Sequence, residues 1–228
     1  MLNYILIDFL IIIFPFLLSF KWKFKYYKNF KPLIASILIV GISYIIWDAI
    51  VTWRGDWWFN HEYLSGIEII GLPLEEILFF IVVPYACIFI YENLNYFIGE
   101  KEIPFNRWFY LTLAGIFIIL GLVFHEQDYT LLAMFSCALF FILASSLYAT
   151  ILKSRLFWLY IVISFIPFMI FNYFLTSLIV VYYNPQAIWG IRVTTIPLED
   201  FFYNFSMLAF YLMVYRYFKQ KWKTSEKH

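Results

Sequence analysis

Seven long apolar stretches take up most of the chain and leave little of it outside a membrane. A helix crosses a hydrocarbon core about 30 Å thick with roughly 20 mostly apolar residues. Of the 228 residues, 64% are hydrophobic, and the mean hydropathy is +0.80. The sequence therefore predicts an all-α protein, a bundle of seven transmembrane helices forming one membrane domain over residues 1–228. The predicted spans are 2–20, 32–52, 67–92, 107–124, 129–152, 156–181 and 193–217.

Lysine and arginine follow the span boundaries and predict the orientation. Most of the 16 basic residues lie in one set of loops, at 21–31, 93–107, 153–155 and from 216 onward. Only Arg54 and Arg192 lie in the alternate loops. Because positive loops stay in the cytoplasm, we expect the N-terminus outside, the C-terminus inside and a multi-pass protein of the cell inner membrane. A nucleic-acid partner is not expected, since the basic residues form no separate polybasic tail.

The sequence matches itself when it is shifted by 124 residues. The stretch "NHEYLSGIEIIGLPLEE" at 60–76 aligns with "NPQAIWGIRVTTIPLED" at 184–200. The same shift lays the first three spans on the last three. It predicts two parallel three-helix repeats, 1–106 and 125–228, joined by a linker helix at 107–124, a 3+1+3 architecture. The segment "RGDWW" of the first repeat has no sequence counterpart in the second.

Each repeat carries two adjacent acids inside an apolar span, directly after a Pro-Leu dipeptide. A charged side chain at the centre of a transmembrane helix costs about 2.5 to 3.5 kcal/mol. With helices expected to begin near residues 67 and 191, eight residues of helical rise put the acids roughly 12 Å deep. We expect these carboxyls to share protons, some neutral and acidic, others ionised and basic. The predicted catalytic acids are Glu75, Glu76, Glu199, Asp200 and, one turn nearer the surface, Asp48.

A structural use of the same acids is an open alternative. Inside a helix, Pro73 and Pro197 would each remove one backbone hydrogen bond. The carboxyls would then satisfy the released carbonyls or hydrogen-bond neighbouring helices together. In that case their removal should lower stability and leave the turnover of the folded protein near normal.

Aromatic residues make up 25% of the chain, and several follow the acids by about one turn, in "EEILFF" and "EDFFYNF". Most rings are expected to pack in the core or face lipid. The remainder are candidates to line an apolar cavity, where ring faces stabilise a cation without supplying a nucleophile. A strong acid beside ring faces suits carbocation chemistry. The predicted substrate-binding residues are Phe79, Phe80, Phe202, Tyr203, Asn60, Asn172, Asn184, Pro73 and Pro197.

The two Pro-Leu-Glu-acid motifs, the segment "WDAIVTWRGDWWFN" at 47–60 and the tandem three-helix halves resemble the integral-membrane lycopene cyclase family. In that family the halves occur as separate subunits or fused. The resemblance covers nearly the whole chain. It implies a lycopene β-cyclase, an isomerase of the intramolecular lyase type, acting on membrane-embedded lycopene with no net redox change. Since no nucleotide-binding or metal-ligand motif occurs, we expect no cofactor and no metal.

In the reaction that the resemblance implies, a carboxyl protonates the terminal alkene of a ψ end, the internal alkene attacks the cation, and a carboxylate removes a proton. We expect the first-half acids to hold the proton donor, and Glu199 with Asp200 to poise or accept protons. A carotenoid hydratase and a small 3+1+3 proton-coupled transporter are the alternatives. The number of rings closed, the ring type and the oligomeric state stay open.

Overall fold

Helices occupy the seven predicted positions in the computed structural model, which describes residues 4–21, 23 and 25–225. The first residues of the predicted span 2–20 and the end of the basic tail lie outside the described residues. A π-helical turn at Ile37–Gly41 joins α2 to α3 without a break, so these two form one rod. The helices are α1 (Tyr4–Lys21), α2 (Phe30–Ser36), α3 (Ile42–Arg54), α4 (Leu74–Phe97), α5 (Arg107–Val123), α6 (Asp128–Leu147), α7 (Arg155–Ser177) and α8 (Leu198–Ser225).

When α2 and α3 are counted as one continuous rod, five of the described helices are long and apolar enough to cross a membrane, by length and composition. They are α1, the continuous rod Tyr26–Arg54, α4, α6 and α7. Helix α5 is apolar but has only 17 residues, and α8 has 28 residues with a basic end. The chain is therefore a largely helical membrane protein. Seven crossings, the 3+1+3 arrangement and the outside N-terminus stay predictions.

In the described part of the chain, six short strands lie between the helices, and they change where both acid pairs are placed. The strands are β1 (Trp57–Phe59), β2 (Glu68–Ile69), β3 (Leu72–Pro73), β4 (Val181–Tyr183), β5 (Arg192–Val193) and β6 (Ile196–Pro197). Strands β2 and β3 form an antiparallel hairpin before α4, and β5 and β6 form another before α8.

The hairpins show that two predictions are wrong. Residues 67–73 and 191–197 are not helical, so the depth calculated from eight residues of helical rise does not hold. Pro73 and Pro197 end the hairpins and remove no hydrogen bond from a helix. The physical reason is that the fixed φ and missing N–H of proline suit the residue just before a helix better than the helix interior. The four paired acids consequently lie in the first turns of α4 and α8.

The two halves meet in a strand pair that has local two-fold pseudosymmetry. Strands β1 and β4 pair antiparallel, with Trp58 opposite Tyr182, and the shift of 124 aligns these same two residues. On either side, Asn60 N–H donates to the Val180 carbonyl, and Asn184 N–H donates to the carbonyl of Asp56, at 2.9 and 2.8 Å. A pseudo-two-fold axis thus passes between the two strands. Sequence comparison alone did not show that these two segments are equivalent, since "RGDWW" and its counterpart differ. Backbone pairing does not require similar side chains.

Helix packing follows the same pseudosymmetry. Within each half the first helix packs on the third, α1 on α4 and α6 on α8. Between the halves, α2 packs on α8 and α7 packs on α4. Each acid-bearing helix therefore contacts the middle helix of the other half, and the starts of α4 and α8 face a common space between the halves.

Candidate active site

An aromatic-lined cavity of about 210 Å³ extends from the starts of α4 and α8 toward the middle of the bundle. Two carboxyls line it, Glu76 from the first half and Asp200 from the second. Its wall is otherwise mainly apolar. The aromatic lining includes Trp57, Phe59, Phe79, Phe168, Phe171 and Tyr203. The structure thus brings one acid from each half next to a set of ring faces.

Glu76 and Asp200 each accept a hydrogen bond from a tyrosine of the first helix in their own half. Tyr4 OH donates to Glu76 Oε2 at 2.7 Å, and Tyr129 OH donates to Asp200 Oδ1 at 2.7 Å. The sequence analysis missed both tyrosines. The shift of 124 aligns Tyr4 with Asp128, so an offset of one residue at the helix start concealed the repeated acid–phenol pair.

Asp200 has two further donors on its other oxygen. Asn172 Nδ2 and Tyr183 OH each donate to Asp200 Oδ2 at 2.8 Å. Burial, reinforced by the Asp200 carboxylate, raises the pKa of the Tyr183 phenol well above its usual value, so Tyr183 keeps the proton that it donates. With Tyr129, three donors surround this carboxyl, an arrangement that suits its ionised form.

The first half has an acid, Asp48, at the position equivalent to Asn172. Asp48 Oδ1 accepts a hydrogen bond from Trp57 Nε1 at 2.9 Å. Its Oδ2 has no hydrogen-bond partner within the described part of the chain. Asp48 also interacts electrostatically with Glu76. A carboxyl pair in the first half therefore stands where the second half has an amide and a carboxyl.

Asp8 is a further acid of the first-half site, and the sequence analysis did not identify it. It lies one turn after Tyr4 in α1 and is only 3% exposed. Neither of its carboxyl oxygens has a hydrogen-bond partner among the described residues. Asp8 interacts electrostatically with Glu76 and Glu75. The only sequence signal was a lone acid inside an apolar span, without the Pro-Leu motif that marked the other acids.

Glu75 and Glu199 are fully buried and do not belong to the cavity lining. Glu75 Oε1 accepts a hydrogen bond from Ser65 N–H at 2.6 Å. Glu199 Oε1 accepts one from Trp189 N–H at 2.5 Å and one from Thr130 Oγ1 at 2.7 Å. In both halves this acid ties the loop before the hairpin to the first turn of the helix, and it thereby fixes the neighbouring acid that faces the cavity.

Two of the four predicted substrate-binding rings line the cavity, Phe79 and Tyr203. Phe80 is fully buried in the core beside them. Phe202 turns toward α5, where its ring lies 5.8 Å from that of Phe117. The helix period explains the division, because consecutive residues point about 100° apart and only one of each aromatic pair faces the cavity.

Of the remaining predicted binding residues, one lines the cavity and the others lie in turns and hairpins. Asn172 lines the cavity. Asn60 and Asn184 instead stabilise turns, since each side-chain oxygen accepts a hydrogen bond from the N–H two residues further along the chain. Pro73 and Pro197 are buried at the ends of the hairpins. The roles of all these residues in binding or chemistry stay predictions.

A known protein family matches this chain twice, once in each half. The chain matches the family model described as "Lycopene cyclase" at residues 2–94 and 126–218, two segments offset by the same 124 residues, which confirms the internal repeat. Over 110 residues it is 25% identical to the bifunctional lycopene cyclase/phytoene synthase of Pyrenophora tritici-repentis (strain Pt-1C-BFP). That match covers 41% of this chain and 19% of the fungal protein. No solved structure matches the chain. Because the family model covers more than half of its length, this membrane protein belongs to the lycopene cyclase family.

Proposed function

We propose that the protein is a lycopene β-cyclase that closes the ψ ends of lycopene to β-ionone rings within the cell inner membrane. The observation that carries the proposal is the placement of Glu76 and Asp200, one from each half, on a single aromatic-lined cavity. Membership of the lycopene cyclase family supports the reaction class.

In this proposal Glu76 is the proton donor. Among the described residues it accepts a hydrogen bond from Tyr4, and it interacts electrostatically with two other buried carboxyls, those of Asp48 and Asp8. Several interacting carboxyls in one buried site do not all ionise, so the group as a whole retains protons. Glu76 transfers a proton to the terminal alkene carbon, which leaves a tertiary cation on the next carbon. The internal alkene then attacks that cation, so the ring bond forms and the positive charge moves into the ring.

Asp200 is the base. Its three hydrogen-bond donors hold it in place and favour its ionised form. It removes a proton from the carbon next to the ring cation, and the electrons of that C–H bond become the ring double bond. Each turnover thus moves one proton from Glu76 to Asp200 and yields an isomer of the substrate. The site is reset when protons exchange with water.

The size of the cavity suits one end group at a time. An apolar cavity of about 150 Å³ holds a benzene molecule, and this one measures about 210 Å³. A closing ring fits, whereas the long polyene must extend out of the cavity. The aromatic walls stabilise the cation through their ring faces. A product with two rings then requires the second end to enter in a separate event.

Pigment analysis in a bacterial host that accumulates lycopene tests this function. We expect a cyclic hydrocarbon with the mass of lycopene from the wild-type chain, and unchanged lycopene from Asp200→Asn. Replacement of the exposed Glu62 by Gln is the matched control and should leave conversion intact. A hydroxylated acyclic product would identify a hydratase instead. Unchanged lycopene in cells that contain inserted wild-type protein would contradict the proposal.

A further inference from the structure

A basic pocket of about 600 Å³ lies at the opposite end of the bundle from the acids. It is formed by the beginning of α2 with the residues just before it, the end of α4 and the end of α8. Its charged lining residues are Lys28, Lys31, Glu92, Lys219 and Lys223. None of these residues belongs to the cavity that holds Glu76 and Asp200.

The one acid among the described lining residues, Glu92, is already bound by its neighbours. Glu92 is 5% exposed. Its Oε1 accepts hydrogen bonds from Lys219 Nζ at 2.5 Å and from Tyr215 OH at 2.7 Å, and its Oε2 accepts one from Asn29 Nδ2 at 3.4 Å. The positive charge of Lys219 therefore balances the negative charge of Glu92, and this pair adds no net charge to the pocket.

Three lysines at the rim have no carboxylate partner among the described residues. Lys28, Lys31 and Lys223 are exposed, and within the part of the chain that the structure describes none of them forms an ion pair. The Lys31 ammonium lies 4.6 Å from the centroid of the Trp222 ring, a cation–π contact that holds it beside the opening. As far as the structure describes the chain, the pocket therefore presents three positive charges without a carboxylate partner.

The pocket opens next to side chains that are typical of a membrane–water interface. Tyr96 lines the pocket, Phe97 and Ile98 follow it in the chain, and Tyr27 directly precedes the lining residue Lys28. All four are exposed, Phe97 the most at 60%. Aromatic residues concentrate at the level of lipid headgroups. A positive pocket at that level meets the phosphate groups of the adjacent leaflet.

From these observations we propose that the pocket binds the phosphate of an anionic glycerophospholipid. Ammonium groups bind phosphate as point charges, and basic pockets between transmembrane helices suit anionic headgroups. A lipid has the further advantage that its acyl chains lie along the exposed apolar residues beside the pocket. Free inorganic phosphate offers the same charged group without the chains. The proposal does not depend on the cyclase reaction, since Glu76 and Asp200 take no part in it.

Native mass spectrometry of the full chain in a zwitterionic detergent tests the site with phosphatidylglycerol as the probe. We expect phosphatidylglycerol to be retained in preference to phosphatidylcholine. The triple variant Lys28→Gln, Lys31→Gln and Lys223→Gln should bind it roughly a hundredfold more weakly. The triple variant Lys21→Gln, Lys101→Gln and Lys153→Gln removes the same charge outside the pocket and should bind like the wild type.

A second measurement needs no variant, in case the first triple variant fails to fold. Phosphatidylglycerol should raise the unfolding temperature of the wild-type chain, because a ligand stabilises the state that binds it. Phosphatidylcholine and inorganic phosphate at equal concentration should not. Equal weakening in both triple variants, equal retention of the two lipids, or displacement of phosphatidylglycerol by equimolar inorganic phosphate would each overturn the proposal.

Discussion

Asn172 donates a hydrogen bond of 2.8 Å to Asp200, and the residue equivalent to Asn172 in the other half is Asp48. The amide can only donate to the carboxylate through its N–H and carries no acidic proton that would compete for it. A carboxyl in the same place interacts electrostatically with Glu76, and two interacting carboxyls in a buried site lose their protons in separate steps. In the proposed mechanism, this one difference between two similar halves gives the two sites different protonation states, which an acid and a base in one cavity require.

Asp48→Asn should convert the first-half site into a copy of the second. The asparagine Oδ1 can still accept the hydrogen bond from Trp57, so we expect the protein to insert and fold normally. Glu76 loses the neighbouring carboxyl that, in the proposed mechanism, helps it to keep a proton. Turnover should then fall by about 10² to 10⁴, the range for loss of acid–base catalysis. Pigment conversion per amount of inserted protein is the measurement. Wild-type turnover in this variant would remove Asp48 from the mechanism.

Glu76→Gln and Glu75→Gln should have different effects although the residues are adjacent. Glu76 faces the cavity, and its replacement should abolish or severely reduce conversion while the unfolding temperature stays near that of the wild type. Glu75 accepts a hydrogen bond from the Ser65 N–H. A glutamine oxygen can still accept that bond, though without the charge, so this replacement should cost only about 1 kcal/mol of stability. Its folded fraction should keep most of its turnover. The opposite pattern, with Glu75 essential and Glu76 dispensable, would show that the proposed roles are reversed.

Tyr183→Phe tests the hydrogen bonds that hold the proposed base. A hydrogen bond to a charged group contributes about 1.5 to 3 kcal/mol, so its loss should slow turnover by roughly ten- to a hundredfold. Tyr182→Phe is the matched control, since Tyr182 belongs to the same strand and does not contact Asp200. Conversion rates measured in membranes with equal protein content distinguish the two. Equal rates for both variants would mean that Tyr183 does not support the reaction.

The sequence was sufficient to predict the helices and the repeat, because both depend on patterns that one chain carries by itself. Apolar length located seven helices, and the shift of 124 related Glu75 to Glu199 and Glu76 to Asp200. It could not distinguish which member of each acid pair faces the cavity. That depends on where the helix begins, and the hairpins before Leu74 and Leu198 moved both starts by several residues.

The hydrogen-bond donors to the acids could not be predicted from a single sequence, for a different reason. Tyr4 and Tyr129 lie in other helices, more than 70 residues from Glu76 and Asp200, and only packing brings them within hydrogen-bond distance. Trp57 and Tyr183 belong to the strand pair between the halves, where the two sequences have diverged. Contacts of this kind leave no periodic pattern along the chain.

The orientation in the membrane is testable through the loops. Positive charge predicts that the loops at 60–64 and 185–188 lie outside and that Lys25 lies in the cytoplasm. In a variant without Cys87 and Cys137, single cysteines in the two loops should react with an impermeant thiol reagent in intact cells. A cysteine at Lys25 should react only after the membrane is opened. Labelling of that residue in intact cells would reverse the predicted topology.

Incubation of membranes with lycopene in D₂O tests the proposed proton transfer itself. If a carboxyl that exchanges with water protonates the terminal alkene, the product should carry one deuteron for each ring closed, on the carbon of the former terminal alkene. The label should remain there, because the proton that Asp200 removes comes from a different carbon. Hydration would place the same deuteron but add the mass of one water, which mass spectrometry separates from cyclisation. A ring-closed product without deuterium at that carbon would show that the donor is not an exchangeable acid, and Glu76 would lose the role proposed for it.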